Sequence, residues 1–470
     1  MEGDAITRRL GPQRIAGELL RRYETSGPRY TSYPTAPQFT ADLDRDEVIR
    51  RWGASNEAGS SAPSALSVYV HVPFCKSRCA YCGCFTKVGA DEETLSAYVD
   101  AILANADWVG GFLSRERPLE QLALGGGTPT YLPPTLMTRL VQGIGARFAF
   151  APDGERAIEV DPRRVDTAYL DVLVDLGFNR FSFGVQDLDP AVQRTVNRVL
   201  PYEKLESLLS HLRGRGVEAV NLDLIYGLPG QSPASYEATL RKVIELRPSR
   251  VATFGYAHVP WVSPHQEVLA DAGLPSARER MELFGLAYDM FLDAGWRHVG
   301  MDHFALPTDE LVLALESRTL TRNFMGYTTR KGLDLVPLGV SAIGAVASTY
   351  VQNTKALGDY VAARGSERWV RGFLMSPEDL LRREVILELL CNFHLDKESV
   401  AARHGVDFDR HFARELDELE RFERDELLSV VDGAIHVTDL GRFFIRNIAM
   451  TFDEYLRTED DGSQRYSRTV

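Results

Sequence analysis

The chain has 470 residues and a formal net charge of −13 at pH 7, with 44% hydrophobic and 25% charged residues. These fractions are typical of a globular protein with a substantial buried core. The acidic balance argues against a nucleic-acid partner, because phosphate binding requires a basic face. No apolar run approaches the roughly 18 residues that a membrane helix needs. The first residues, MEGDAITRRLGPQ, lack the apolar core of a secretory signal. We therefore expect a cytoplasmic protein that binds neither nucleic acid nor a membrane.

In chain order, residues 1–60 come first and are predicted to be irregular around the Pro-rich stretch GPRYTSYPTAPQF, with a flexible linker by composition at 54–64. Beyond the linker, short segments with strand periodicity alternate with segments of helical periodicity. The predicted strands are 66–72, 119–125, 157–160, 180–186, 219–227 and 250–257, with a further strand at 298–304. The predicted helices are 93–112, 136–148, 168–177, 205–216, 236–246 and 277–294.

This alternation predicts an α/β fold with a parallel sheet. About six strand–helix units would form most of an eight-stranded barrel, hence a partial (β/α)6 barrel, although an open doubly wound sheet has the same periodicity. In both architectures the chemistry lies at the carboxyl ends of the strands. After about residue 370 the pattern becomes helical. We predict an N-terminal segment at 1–60 that folds over the active site, a catalytic barrel at 61–365 and a small α-helical domain at 366–470.

Four of the five cysteines lie in HVPFCKSRCAYCGC, directly after the first predicted strand. Cys75, Cys79 and Cys82 have the spacing Cys-x-x-x-Cys-x-x-Cys, and Cys84 follows two positions later. Three thiolates from one loop can hold an iron–sulfur cluster and leave one iron open for a small molecule. The alternatives are a four-thiol zinc site, which usually draws its ligands from separate elements, and an electron-transfer cluster with a distant fourth ligand. Cys391 lies in the apolar segment ILELLCNF and is predicted to be a buried core thiol.

Glycines and polar residues mark the ends of the other predicted strands. The loop Gly125–Thr130 follows the second strand, where glycines let the backbone approach a ligand and expose its N–H groups. Single polar residues end the next strands and are expected to converge on the cysteines: Glu159, Gln186, Asp223 and His258. Arg198, taken alone, is typical of a solvated helix charge.

The cysteine motif, with Tyr81 before its third cysteine, resembles that of the radical S-adenosylmethionine superfamily. Motifs along nearly the whole chain resemble one family within it, the oxygen-independent coproporphyrinogen III oxidases (dehydrogenases). They are RYTSYPT, CxxxCxYCGC, GGGTPTYL, IEVDPR, FGVQD with VNR, NLDLIYGLPGQ, YAHVP, GMDHFA, RNFMGYTT, GVSAIG, GRFFIRN and RYSR.

The resemblance implies a [4Fe–4S] cluster on Cys75, Cys79 and Cys82, with Cys84 outside the ligand set. It also implies two molecules of S-adenosylmethionine. The residues implied for the molecule on the cluster are Tyr69, Gly126, Glu159 and Ile343. Those implied for the second molecule are Tyr81, Gly127, Thr128, Gln186, Arg198, Asp223 and Ala257. We predict that Tyr69, Glu159 and Asp223 act at the catalytic centre.

The implied reaction converts two propionates of coproporphyrinogen III to vinyl groups and gives protoporphyrinogen IX. The implied partners are this tetrapyrrole and an electron donor such as flavodoxin or ferredoxin, acting on a monomer. Because the substrate is anionic, arginines are expected to bind its propionates. Arg29 and Arg322 are the predicted substrate-binding residues, and the neighbouring Arg330 and Lys331 are further candidates that are equally typical of surface charges.

Three positions depart from the family pattern: Met325 where Gln is expected, Gly255 where Asn is expected and Trp261 where a smaller residue is usual. They leave two alternatives open. One is a radical enzyme that acts on another tetrapyrrole, and the other is a haem chaperone that keeps the cluster motif. Cys84 and the RYTSYPT segment favour the oxidase, because chaperone-type relatives generally have Phe at the former position and lack the latter.

Overall fold

The computed structural model describes residues 17–57, 65–458, 466 and 469. Most of the predicted linker, most of the RYSR motif and the first sixteen residues therefore lie outside the described residues. The α-helices are α1 Gly17–Tyr23, α2 Arg45–Ala54, α3 Glu92–Val109, α4 Pro134–Arg147, α5 Thr167–Asp175, α6 Pro190–Thr195, α7 Tyr202–Gly214, α8 Pro233–Leu246, α9 Ala277–Asp293, α10 Glu310–Glu316, α11 Leu357–Ala362, α12 Pro377–Asn392, α13 Lys397–His404, α14 Phe408–His411, α15 Ala413–Arg424, α16 Ile445–Met450 and α17 Glu454–Thr458.

The β-strands are numbered separately, also in chain order. They are β1 Leu66–Val72, β2 Phe74–Cys75, β3 Lys87–Val88, β4 Leu119–Gly126, β5 Phe150–Val160, β6 Arg180–Gln186, β7 Ala219–Tyr226, β8 Arg250–Gly255, β9 Arg297–Gly300, β10 His303–Ala305, β11 Thr321–Asn323, β12 Gly326–Thr328, β13 Asp334–Leu338, β14 Ile343–Val346, β15 Thr349–Asn353, β16 Trp369–Leu374, β17 His394–Asp396, β18 Leu428–Val431 and β19 Ala434–Val437.

The larger of two compact units contains the described residues of 39–275 and 332–374, and we call it the sheet unit. Its parallel strands lie in the order β13-β1-β4-β5-β6-β7-β8. The six strand–helix units predicted for the partial (β/α)6 barrel are all present and in sequence order. Alternate residues of β1 are fully buried, and of the others Ser67 and His71 are buried and Tyr69 is partly buried, as expected for a strand covered on both faces.

The register brings the carboxyl ends of these strands together. Gly126 at the end of β4 lies opposite Val72 at the end of β1. Glu159 on β5 lies opposite Ser182 on β6, and Asp223 on β7 lies opposite Gly184. The cysteine-bearing loop after β1 and the polar strand ends therefore share one edge of the sheet.

The antiparallel part of this unit was not predicted: β14, β15 and β16 continue the sheet beyond β13. Helix α2, in a segment predicted to be irregular, is packed here. Nε1 of its Trp52 donates to Oγ1 of Thr349 at 2.8 Å, and the Trp52 ring lies 5.1 Å from that of Trp369. The segment that precedes the predicted linker is therefore part of the sheet unit.

The second unit contains the described residues of 17–38, 276–331 and 375 onward, and we call it the helical unit. The predicted C-terminal helices are present as α12 and α15. They are accompanied by an antiparallel sheet in the order β17-β19-β18, which the sequence did not predict. The predicted strand at 298–304 is an antiparallel hairpin of β9 and β10. Cys391 is fully buried, as predicted.

The three predicted domains stay a prediction, since the two compact units group the chain in another way. Of the helices that the structure describes, none combines the length and the hydropathy that a membrane crossing requires.

Candidate active site

The cysteine loop, residues 74–89, leaves the carboxyl end of β1 and is fixed to neighbouring segments by its own backbone. Cys75 ends β2 and lies opposite Val88 of β3. The amide of Ala80 donates to the carbonyl of Val196, in the turn after α6, at 3.1 Å. The loop is therefore held by bonds that do not involve the thiols.

Two side chains complete this attachment. Nδ2 of Asn197 donates to the carbonyl of Arg78 at 3.0 Å, and Nε2 of Gln266 donates to the carbonyl of Tyr81 at 2.8 Å. The side chain of Tyr81 packs against a buried apolar cluster that includes Val196. The middle of the loop is thus bound on both sides.

Two guanidinium groups approach the thiol of Cys79. Nη1 of Arg198 lies 3.4 Å and Nη2 of Arg163 lies 3.7 Å from its Sγ. Asp161 pairs with both, at 2.8 Å from Arg163 and 3.5 Å from Arg198. Arg198 is buried, in contrast to the solvated helix charge that its local sequence suggests. The positive charges of Arg163 and Arg198 would therefore stabilise a negatively charged, metal-bound thiolate at Cys79.

The remaining thiols differ in their surroundings. A hydrogen bond from Cys84 lowers the pKa of Cys82 to about 6, and the charges of Arg198 and Arg78 act in the same direction. Burial raises the pKa of Cys75, whose Sγ lies 3.4 Å from Oγ1 of Thr128. Cys84 itself is exposed.

The arrangement of the possible metal ligands differs between a single bound ion and an iron–sulfur cluster. Within the described residues, no three His, Cys, Asp or Glu side chains converge as a single bound ion requires. A cubane cluster makes a different demand, because each thiolate binds its own iron and the ligands stand farther apart. One anchored loop supplies three thiols for such a cluster, and Arg163 and Arg198 stand beside one of them.

The glycine loop after β4 is packed against the protein's own atoms. A Cβ on Gly126 would lie 2.5 Å from the ring of His71, and one on Gly127 would lie 2.6 Å from the backbone of Pro73. Gly126 also has a φ of +112°, in the region that disfavours side chains. The N–H of Gly126 donates to Oε2 of Glu159 at 3.0 Å and that of Gly127 to the carbonyl of Val72 at 2.8 Å. The expectation that these N–H groups are open to a ligand is therefore wrong.

A hydrogen-bonded chain links Tyr69 to the cysteine loop. Nε2 of His71 lies 3.2 Å from the carbonyl of Phe85, so it carries the proton and donates. Nδ1 then accepts from the hydroxyl of Tyr69 at 3.1 Å. Burial lowers the pKa of His71 to about 4, which keeps the ring neutral near pH 7. The sequence analysis did not single out His71, although it stands in the quoted segment HVPFC.

Two carboxyl groups face the same edge of the sheet. Asp223 accepts from Oγ of Ser182 at 2.9 Å and from Nδ2 of Asn221 at 2.8 Å. Its burial raises its pKa. Partial desolvation by the surrounding protein raises the pKa of Glu159 to about 7, and the charge of Asp223 adds to this. The Glu159 side chain is also solvent exposed, so water screens part of this effect. A positively charged ligand would relieve the repulsion between the two groups.

The other predicted cofactor-binding residues lie at or near strand ends of the sheet unit. Gln186 ends β6 with a φ of +71°, and Nε of Arg198 donates to the carbonyl of Gly184 at 3.0 Å. Ala257 follows β8. Ile343 begins β14, directly after the turn in which a Cβ on Gly339 would meet the backbone of His71.

The predicted substrate-binding residues lie in the helical unit. Nη1 of Arg29 pairs with Oδ2 of Asp302 at 2.9 Å. Arg322 is buried over the ring of Tyr327, and its Nε and Nη1 find no hydrogen-bond partner among the described residues. Burial lowers the pKa of Arg446 to about 10, and the charges of Arg29 and Arg322 contribute. Positive charge thus exceeds negative charge here.

Arg446, within the GRFFIRN motif, is a residue that the sequence analysis did not select. It donates to the carbonyls of Gly27, Pro28 and Thr469, and so supports the backbone that precedes Arg29. Of the two further candidates, Lys331 is engaged by Glu388 at 2.8 Å and is half exposed.

Comparison with known proteins agrees with this site. The sequence profile of the radical SAM superfamily matches residues 69–243, and that of the HemN C-terminal domain matches residues 375–444. The oxygen-independent coproporphyrinogen III oxidase of Salmonella typhimurium is 41% identical over 455 residues, which cover 96% of this chain and 98% of that protein. The counterpart in Pseudomonas aeruginosa is 41% identical over 458 residues, with the same coverage of both chains.

A solved structure gives the same result. Coproporphyrinogen III oxidase (HemN) from Escherichia coli, a radical SAM enzyme, aligns with a TM-score of 0.86 at 38% identity, covering 93% of this chain and 98% of that one. The fold and the cysteine loop therefore define a radical SAM enzyme, which uses a [4Fe–4S] cluster and S-adenosylmethionine. More narrowly, the chain belongs to the family of oxygen-independent coproporphyrinogen III oxidases.

Proposed function

We propose that this enzyme oxidatively decarboxylates two propionates of coproporphyrinogen III to vinyl groups, giving protoporphyrinogen IX in oxygen-independent haem synthesis. Each decarboxylation yields carbon dioxide, methionine and 5′-deoxyadenosine, and one electron passes to an acceptor. The observation that carries the proposal is the agreement with relatives of this name over 96% of the chain, through both the superfamily region and the C-terminal region.

Cys75, Cys79 and Cys82 are the proposed cluster ligands, and Cys84 is not one. When bound, the cluster supplies the electron that cleaves S-adenosylmethionine to methionine and a 5′-deoxyadenosyl radical. The chain's contribution is to hold the loop through Val196, Asn197 and Gln266, and to place Arg163 and Arg198 beside the thiol of Cys79.

The carboxyl groups of Glu159 and Asp223 are proposed to bind S-adenosylmethionine, which carries an ammonium and a sulfonium. The raised pKa values of both residues support this, because a cationic ligand favours their ionised forms. Tyr69 assists through a hydroxyl oriented by neutral His71. A second molecule is proposed beside Gln186 and the remaining predicted contacts Tyr81, Gly127, Thr128, Arg198, Asp223 and Ala257, while Gly126 and Ile343 belong to the first.

Arg29 and Arg322 are proposed to bind substrate propionates. The Nε and Nη1 donors of buried Arg322 support this assignment, because buried N–H groups without an acceptor are costly unless a ligand accepts their hydrogen bonds. Arg446 acts as a positioning residue behind Arg29. An anionic substrate is repelled at long range by a chain of net charge −13. The positive charge of Arg29, Arg322 and Arg446 offsets this repulsion locally.

Anaerobic incubation with S-adenosylmethionine, dithionite and coproporphyrinogen III tests the proposal. We expect 5′-deoxyadenosine and protoporphyrinogen IX, separated by chromatography after oxidation to the porphyrins. Stable haem binding without any vinyl product would support the chaperone instead, and 5′-deoxyadenosine formed only with a different tetrapyrrole would support the other radical enzyme.

Three further statements remain predictions: an electron donor such as flavodoxin or ferredoxin, a monomeric state and a cytoplasmic location. For the electron donor, the charges on the surface of the sheet unit allow a more specific inference.

A further inference from the structure

Three segments at the cysteine loop carry only basic charges between the acidic residues that flank them, among these Asp91, Asp161, Asp166 and Asp189, although the whole chain is acidic. Residues 74–90, 162–165 and 190–201 contain no Asp or Glu. They contain Lys76, Arg78, Lys87, Arg163, Arg164, Arg194 and Arg198. A chain with 66 acidic and 53 basic residues has thus collected positive charge around its cysteines.

Five of these cations are exposed, and four of the five, Lys76, Arg78, Arg164 and Arg194, form what we call the cationic rim. No carboxylate of the described residues forms an ion pair with any of the four. In contrast, Arg163 and Arg198, which are largely buried, both form ion pairs with Asp161. Lys87 is left out of the rim because its charge acts on the nearby Asp91.

Hydrogen bonds place the rim at the cysteine loop. Arg78 is bound through its carbonyl to Asn197, whose own amide donates to the carbonyl of Arg194 at 3.2 Å. Arg164 follows Arg163, which contacts both Cys79 and the carbonyl of Asn197. The rim residues therefore come from three segments that meet at the thiols.

Exposed apolar side chains stand on the same segments as these cations. Val199 is 57% exposed directly after Arg198, and Val88 is 46% exposed opposite Cys75 in the β2–β3 pair. Exposed apolar residues within a charged surface are typical of a protein-binding site, and small redox encounters use interfaces of this mixed kind.

We propose that the cationic rim is the docking surface for a small acidic one-electron carrier protein, whose reduced cofactor gives one electron to the cluster for each S-adenosylmethionine cleaved. This inference rests on the proposed function, because only a cluster that must be reduced repeatedly needs such a partner. Charge complementarity selects an acidic carrier: it is attracted to the rim and repelled by the rest of this acidic chain, which orients the encounter.

The rim has a matched control at the opposite edge of the sheet. Arg164 and Arg194 follow β5 and β6 at their carboxyl ends, whereas the exposed Arg115 and Arg247 precede β4 and β8 at their amino ends. The rim variant is Arg164→Gln with Arg194→Gln, and the control is Arg115→Gln with Arg247→Gln. Each removes two positive charges, and neither touches a proposed cluster ligand.

The experiment uses cluster-loaded enzyme and a purified flavodoxin of strongly negative net charge. Its binding is measured by surface plasmon resonance, and cluster reduction by its hydroquinone is followed in a stopped-flow spectrometer. At about 0.05 M salt, we expect the rim variant to lose about tenfold in affinity and in the second-order rate constant. The control should stay within about twofold of wild type, and the rim effect should shrink at about 0.5 M salt as the charges are screened.

Turnover driven by dithionite separates this inference from the proposed function. With dithionite, all variants should oxidise coproporphyrinogen III with unchanged kcat and KM, which also shows that the rim does not act by attracting the substrate. Failure of this reaction in wild type would overturn the proposed function. Equal loss in the rim and control variants, or a wild type that neither flavodoxin nor an acidic [2Fe–2S] ferredoxin binds and reduces, would overturn the docking surface.

Discussion

The buried carboxyl group of Asp453 provides a quantitative test of how the N-terminal segment is held within the helical unit. Asp453 is 2% exposed and accepts hydrogen bonds from the hydroxyl of Tyr30 at 2.8 Å and from the amide of Tyr455 at 3.0 Å. Burial raises its pKa from the ordinary 3.8 to about 6. Tyr30 adjoins Arg29, so this contact fixes a proposed substrate-binding residue.

The magnitude follows from linkage. The folded-state pKa lies about two above the unfolded value, and each step of one in pKa is worth about 1.4 kcal/mol, so ionising Asp453 costs the folded state about 3 kcal/mol. Because the pKa is raised, stability is greatest when the carboxyl group is protonated. It falls as the pH rises from about 4 through 6 and then stays level.

Asp453→Asn keeps the shape and removes the charge. We expect it to stabilise the helical unit by about 3 kcal/mol at pH 8 and by less than about 1 kcal/mol at pH 4. The assay is hydrogen exchange of peptides from α12, corrected for the intrinsic pH dependence of exchange. Tyr30→Phe removes one donor to the carboxylate and should steepen the loss of stability with pH. A pH-independent difference between Asp453→Asn and wild type would refute the reasoning.

Three other outcomes are expected. Gly126→Ala should destabilise the sheet unit by about 2–5 kcal/mol, from a strained φ and a clash with His71, measured by denaturant unfolding. Cys84→Ala should retain the iron and acid-labile sulfide of wild type, whereas Cys79→Ala should lose both, measured on anaerobically purified protein. Arg29→Ala should raise the KM for coproporphyrinogen III about tenfold through the loss of a charge-assisted hydrogen bond, measured in dithionite-driven assays.

Matched controls make these outcomes specific. Gly214→Ala, at the end of α7, meets no atom within 4 Å and should leave stability nearly unchanged. Lys331→Ala removes a cation already engaged by Glu388 and should leave KM unchanged. The substrate-binding assignment would be contradicted by an unaltered KM in Arg29→Ala, and the ligand assignment by a lowered iron content in Cys84→Ala. Equal stability of Gly126→Ala and Gly214→Ala would contradict the packing argument.

The sequence predicted those parts of the fold whose hydrophobic pattern repeats. Six of the seven parallel strands alternate regularly with amphipathic helices, and these six were located. The seventh, β13, was not located, because Pro337, the fourth of its five residues, is typical of a turn or an edge, yet the strand lies beside β1. The short strands β17, β18 and β19 contain only three or four residues each, too few for a period to be recognised between helices.

The site was predictable to the extent that spacing along the chain encodes it. The cysteine motif and the strand ends fixed the location, since parallel strands expose their carboxyl ends at one edge. His71 and Arg446 were missed because a single His or Arg carries no periodic signal. Their roles depend on partners such as Phe85 and Pro28, and only the folded chain reveals those contacts.

The anchoring of the cysteine loop has a consequence for how the enzyme matures. In small zinc domains, the metal supplies the free energy that orders the chain, so removing it unfolds them. Here the carbonyls of Arg78 and Tyr81 and the amide of Ala80 are already bound to neighbouring segments, so the conformational entropy of the loop is lost during folding itself. Polypeptide folding and iron insertion are therefore separable events, and an oxidatively damaged centre can be rebuilt on a chain that never unfolds.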